Sequence, residues 1–483
     1  MEPKEVALLA LDAATTRGAA YAEVRIVRSE GQDLGVRNGE LATLESPVSS
    51  GFSVRVLRGG AWGFSASPRF TRLAVVGAAG RAAAAADALA RLRREHPIEL
   101  APNPPQVARW EGPCRRDPFA VPLEEKVELL RRCDAGLRTR PEVVATSCTM
   151  SFLRQHAWFA NTEGAFLEQR FVRSGGGILA RAAGRGDVQT RSYPMSFGGQ
   201  FVEGGYEAVE ALELPAHVER TRDEAVALLE APPCPGGVRD LLLGSSQMAL
   251  QVHESCGHPC ELDRVLGAEL DLAGGSFLTP EKLGQFRYGS ELVTIVADAL
   301  SPGGLGTFGF DDEGVPAGRW PLIEKGVLRG YLTNRETARA IGEEASRGAA
   351  RAEGWRSFPI IRMVNVSLEP GTWDLDALVA DTEDGVLCDT VKTWSIDQMR
   401  LNFQFTTEVG WEIKNGRIVR LLKNPTYQGT TPEFWASCDA IGSEKHFVLW
   451  GVAQCGKGNP MQLAEVSHGA APARFRGVRF VGP

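Results

Sequence analysis

The sequence predicts a multidomain α+β protein: two N-terminal units that each combine a sheet with helices, then a larger β-rich C-terminal domain with one early helix. Three observations carry this. A chain of 483 residues exceeds what one ordinary core organises and points to two or three domains. Proline-rich stretches without periodicity, near residues 96–113 and at 232–237, divide it. Beyond the second stretch, short apolar segments separated by glycine replace helical periodicity.

The first unit, 1–95, opens with MEPKEVALLALDAATTRG, whose periodic apolar positions and interspersed acids predict an amphipathic helix rather than a signal peptide. Residues 21–67 alternate apolar and polar with Gly and Asn-Gly breaks, an antiparallel pattern with hairpin turns. Residues 70–94, rich in Ala, Leu and Arg, return to helix. The middle unit, 114–231, carries a helix over 122–138 with Pro122 at its start, strand alternation over 143–200 with NTEG as a turn, and a closing helix at HVERTRDEAVALLEA. The third unit, 238–483, holds the strand candidates ELVTIVADA, GVLRGYLTN, DGVLCDT, FQFTTEVGWEIKNGRIVRLLKN and KHFVLWGV.

Hydrophobic residues at 43% and charged residues at 23% describe a globular chain. A net charge of −7 argues against binding nucleic acid through phosphate neutralisation. The longest apolar stretch, AAAAADALARL, is too short to span a bilayer, so no membrane is expected and the cytoplasm is the default location. Nine irregularly spaced cysteines do not form a disulfide framework. Cys114, Cys133, Cys148, Cys234, Cys388 and Cys438 are read as reduced, buried and inert.

The segment QVHESCGHPC, 251–260, follows the predicted strand DLLL on a helix that Ser245 or Ser246 would cap, with Met248, Ala249 and Val252 on its buried face. It places His253, Glu254 and His258 in an H-E-x-x-x-H spacing, one residue longer than the H-E-x-x-H of many zinc proteases. Residues five apart on a regular α-helix are offset by ~140°, against ~40° for four apart. A π-type bulge removes this misfit, with Gly257 to tolerate it and Pro259 to end the helix. Neutral imidazoles bind zinc, and a catalytic zinc takes three protein ligands with one position left open. Glu254 would then take a proton from the attacking water and pass it to the leaving amine. The expected reaction is peptide-bond hydrolysis, and the helix is the metal-binding helix of the C-terminal domain.

The third ligand must come from elsewhere. Cys455, in WGVAQCGKGNP, is the choice because it follows an apolar strand and precedes Gly456 and Gly458; His446 and His468 are alternatives. Lys457 is read as an exposed loop lysine. Glu261 and Asp263 are either imidazole partners or solvated carboxylates. Asp311, Asp312 and Glu313 are read as an acidic turn. A closed site built from Cys256, Cys260 and the two histidines crowds four donors into too short a segment for a tetrahedral ion.

The chain resembles the TldD/PmbA (TldD/TldE) metallopeptidases, specifically their TldD-like catalytic member. The resemblance covers nearly its whole length, through GAAYAEVRI and GFSVRVLRGGAWGFSAS near the N-terminus and HESCGHPCELD, GTFGFDDEGVPA and CGKG in the third unit. It implies metal ligation by His253, His258 and Cys455, Glu254 as the catalytic base, and a cytosolic two-subunit assembly that cuts unfolded or small peptides. The partner would be a TldE/PmbA-like subunit or a second copy. The segment GKGNPMQLAEVSHGAAP departs from the best-known members, which bears on substrate choice more than on the active-site chemistry. Zinc is the expected metal, and iron is chemically acceptable to the same donors. The competing reading is a non-catalytic peptide-binding or assembly subunit with a structural metal, for which a glutamate beside a ligand has no use.

Overall fold

The computed structural model describes residues 1–92 and 97–482, so the expected helix end at 93–94 and linker start at 96 lie outside the described residues. The first two units share a single nine-stranded sheet. Its path runs Ala61–Ser67, Val48–Arg58, Tyr21–Arg37, Val143–Asn161, Phe166–Gly184, Val107–Glu111. Tyr21–Arg37 pairs with Val143–Asn161 in unbroken antiparallel register from Glu23 opposite Asn161 to Arg37 opposite Ser147. Both long strands run through the two units, contributing to one core near one end and to a second core further along. The stretch read as a linker instead supplies Val107–Glu111, paired parallel to Phe166–Gly184; backbone pairing imposes a strand there that the prolines obscured.

Side-chain alternation on those strands puts even positions on one face. Val24 and Ile26, with Trp158 and Ala160, meet the helices Pro3–Thr15 and Arg72–Ala90. Further along the same face, Leu34, Val36, Cys148, Met150 and Phe152 meet Leu123–Leu137 and Val218–Glu230. Two helical layers therefore sit side by side on one sheet. Arg72–Ala90 is long and apolar enough to cross a membrane by length and composition. Its Val75, Ala78, Ala79, Ala82, Ala83 and Ala86 are instead buried against the strands Val48–Arg58 and Ala61–Ser67, which explains the alanines: small side chains let helix and sheet approach closely.

The odd face of the sheet packs against the C-terminal domain. There Arg25 pairs with Asp312 at 3.0 Å and Arg173 with Glu465 at 2.8 Å, while Gln169 donates to the Phe310 carbonyl. In that domain five strands close into a ring: Gly237–Leu243, Asp384–Ile396, Asn402–Lys414, Thr426–Thr430 and Ala473–Val481, the last pairing back onto the first. Closure leaves these strands no free edge toward one another. A four-stranded sheet and the hairpin Val448–Lys457/Gln462–Ala470 complete the domain. All nine cysteines are free, but Cys114 is exposed, contrary to its buried reading.

Candidate metal centre

The strand Gly237–Leu243 leads straight into the helix Ser245–Val252. Apart from Ser245, every residue of that helix is buried, so it is a core helix rather than an amphipathic one. Gly244, not a serine, occupies its N-cap. Ser246 donates to Asp389 Oδ1 at 2.6 Å instead, because the neighbouring strand Asp384–Ile396 offers a better acceptor. The helix continues as a π-turn over His253–Gly257, with the His258 N–H bonded to the His253 carbonyl. A 3-10 turn over His258–Cys260 follows, with Pro259 inside it. The extra residue is absorbed as the sequence predicts, but the role of Gly257 is different. Its backbone is ordinary helical, φ −56 and ψ −62, and a Cβ there would press on the Met363 side chain. Glycine is favoured there by proximity, not by conformation.

The π-turn aims both imidazoles at Cys455. Its Sγ lies 3.5 Å from His253 Nε2 and 3.7 Å from His258 Nε2, and the three donor atoms fall within 4.8 Å of one another. Cys455 sits not in a loop but in the strand Val448–Lys457, where the register with the hairpin's second strand shifts between Val452 and Cys455. A bulge at such a shift re-aims a side chain.

The far side of each imidazole is fixed. His468 donates from Nδ1 to the Val366 carbonyl at 2.9 Å, so its Nε2 accepts from His253 Nδ1–H at 2.7 Å. Burial holds His468 well below the ordinary imidazole pKa and also lowers His253, which keeps both rings neutral. His258 donates from Nδ1 to Glu261 Oε2 at 2.9 Å. Burial of Glu261 favours its protonation, but Lys457, His258 and Arg264 outweigh this and hold it well below the usual carboxylate range. The Nε2 lone pairs of both histidines are thereby left toward the thiol. Burial opposes a Cys455 thiolate, yet His258 and Arg362 bring its pKa below the ordinary thiol value. Two imidazole nitrogens and a thiol, all buried, are donors that fit a tetrahedral transition metal with one open position.

Of the alternatives, His468 stands behind His253, and His446 lies in a separate turn beside Asp374 and the Leu375 N–H. Cys256 and Cys260 belong to the apolar core, and burial drives the Cys260 thiol well above its ordinary pKa. Lys457 is 2% exposed rather than a loop lysine; it bonds Asp263 and the Ile361 carbonyl and lies 3.5 Å from Glu261. Asp311 and Glu313 are buried, Asp311 accepting from the Glu313, Val315 and Ala350 N–H groups.

Glu254 opens onto a cavity of about 730 Å³ with His253, His258 and Cys455 in its wall. The first sheet and the segment after it contribute Asp33, Ser151, Met195, Phe197 and Phe201; the Asp384–Ile396/Asn402–Lys414 hairpin contributes Trp394 and Arg400. Arg400 Nη1 donates to Glu254 Oε2 at 2.9 Å. Burial favours protonation of Glu254, but His253, His258, Arg400 and the Trp394 indole outweigh it and lower its pKa. Sequence reasoning missed Arg400 and Trp394. Arg400 lies 146 residues from its partner, and no local pattern marks it.

Three family models of the PmbA/TldA metallopeptidases match in order: domain 1 at residues 22–90, the central domain at 116–229 and the C-terminal domain at 236–482. The chain belongs to the PmbA/TldD metallopeptidase family. This metallopeptidase is 31% identical to a metalloprotease of Methanothermobacter thermautotrophicus over 96% of the chain and 95% of the relative. It is 30% identical to one of Synechocystis over 95% and 94%. A zinc metalloprotease TldD homolog of Saccharolobus solfataricus is 28% identical over 40% of the chain and 42% of that protein. Among solved structures, a Thermotoga maritima protein described as a candidate modulator of a DNA gyrase aligns over 99% of this chain and 100% of its own. Its TM-score is 0.76 at 18% identity. TldE of Thermococcus kodakarensis aligns over 98% and 99%, with TM-score 0.68 at 17% identity. Both share the fold of this metallopeptidase.

Proposed function

We propose that this metallopeptidase hydrolyses unfolded or small peptides in the cavity beside Glu254, with His253, His258 and Cys455 as metal ligands. The observation that carries the reading is the convergence of these three donors within 4.8 Å on the wall that also holds Glu254. Zinc is the metal that best suits the donor set, and one relative is named a zinc metalloprotease. When bound, the metal supplies Lewis acidity at the scissile carbonyl and lowers the pKa of water.

The protein's own groups account for the rest. Glu254, held ionised, takes a proton from the attacking water and returns it to the leaving amine. His468 and Glu261 fix the imidazole tautomers, so that both Nε2 lone pairs stay available. The apolar rings of Phe197, Phe201 and Trp394 line the cavity and offer apolar surface to a bound peptide. A peptide in extended form suits a site enclosed by strands, because backbone pairing asks little of side chains. The partner is a TldE/PmbA-like subunit or a second copy of this chain, and the location is the cytoplasm.

The test is hydrolysis of casein or a mixed unfolded-peptide substrate by the protein and by Glu254→Ala, alone and with a TldE-like subunit, with bound metal quantified in each. Retention of metal with loss of cleavage in the variant supports the reading. Equal cleavage by both, or no metal in either, overturns it.

A further inference from the structure

Arg400 carries more hydrogen-bonding capacity than Glu254 uses. It sits at the tip of the Asp384–Ile396/Asn402–Lys414 hairpin with φ +61, a left-handed conformation unusual for a side-chain-bearing residue. Asp397 holds that tip by accepting from the Leu401 and Asn402 N–H groups and from the Arg400 N–H through its carbonyl. Thr431 closes it with hydrogen bonds to the Arg400 and Leu401 carbonyls. The backbone is thus fixed and the side chain projects into the cavity.

Among the described residues Nη1 is engaged by Glu254, and Nε is buried without a partner. Burial lowers the guanidinium's pKa despite Glu254, so one carboxylate does not offset its desolvation. A guanidinium bound at Nη1 retains its Nε/Nη2 edge, two parallel donors matched to a planar carboxylate.

We propose that Arg400 is a specificity-determining residue, whose free Nε/Nη2 edge selects peptides that place a carboxylate next to the scissile bond. The carboxylate is either an acidic side chain or the peptide's free C-terminus. This rests on the peptidase reading above. Arg400 remains on Glu254 while the second carboxylate docks, so selection needs no rearrangement of the base.

The experiment uses three short peptides of otherwise equal sequence: one neutral with an amidated C-terminus, one amidated with Glu beside the scissile bond, and one neutral with a free C-terminus close to that bond. Hydrolysis rates are compared for the protein, Arg400→Gln and Arg400→Lys. N-methylated, uncleavable versions are titrated calorimetrically to measure binding without turnover. The expected wild-type preference for one carboxylate peptide over the neutral amide is ~10- to 100-fold, as a charge-assisted hydrogen-bonded pair gives. It appears in the binding constant and in KM rather than kcat. The preferred peptide identifies the source of the carboxylate. In Arg400→Gln the ratio falls toward one whatever the absolute rate, and Arg400→Lys restores part of it. A wild-type protein that cleaves all three equally, or a preference that survives Arg400→Gln, overturns the selection while leaving the peptidase reading intact. Failure to cleave any of them counts against both.

Discussion

At the scale of single residues, the centre depends on a division of labour that two substitutions separate. Glu254→Gln keeps the size of the proposed base and removes its proton affinity. It is expected to retain bound metal and lose about 10²- to 10⁴-fold in kcat, read from steady-state hydrolysis beside metal analysis. Glu261→Gln acts from the other side. It removes the charge that accepts the His258 Nδ1–H and should weaken metal affinity by about 10- to 100-fold, measured by chelator competition. The motif made His253, Glu254 and His258 legible. It did not make Glu261 legible as more than a candidate, since a carboxylate three residues on reaches back only because the 3-10 turn orients it.

At the scale of the element, the π-turn depends on a packing contact. Gly257→Ala places a methyl against Met363 Sδ and is expected to cost about 1–3 kcal/mol, visible as a lower denaturant midpoint. Bound metal should fall too, because the displaced turn carries His258. Met363→Ala makes room for that methyl, so the double variant should lose less than the sum of the two single losses; simple additivity would show that the methyl does not meet Met363. The existence of the π-turn could be argued from spacing alone, since H-E-x-x-x-H on a regular helix does not converge. The reason for its glycine could not, because Met363 lies far away in sequence.

At the scale of the whole molecule, the sheet and the C-terminal domain are joined by buried charges. Glu313 accepts from Arg55 Nη2 and from the Arg335 N–H, each at 2.7 Å. Glu313→Ala should destabilise by about 3 kcal/mol, the order seen when one partner of a buried pair is removed. Glu369→Ala, which breaks an exposed pair with Arg319, should stay within about 1 kcal/mol in the same denaturant titration. Glu203, where the sheet meets the Cys455 hairpin, gives a pH signature. Burial raises its pKa from 4.5 to about 7, with Arg173 opposing. A carboxyl raised in the fold contributes stability that is fully present below its unfolded pKa and is lost as pH rises through the folded one. Stability should therefore decline between about pH 4.5 and 7 relative to Glu203→Gln, which removes that part of the slope; parallel pH curves for the two would refute the assignment.

The sequence by itself determined the α+β class and the motif helix with its irregular turn, and it offered Cys455 beside His446 and His468 as a candidate third donor. These follow from periodicity, spacing and the donor chemistry a metal requires, all of which are local properties of the chain. Tertiary structure alone decided that the first two units share one sheet, that Lys457 is buried, that His468 orients His253 rather than joining it, and that Arg400 faces Glu254. Each of these joins residues far apart in sequence, where strand register and burial, which no local pattern records, set the distances.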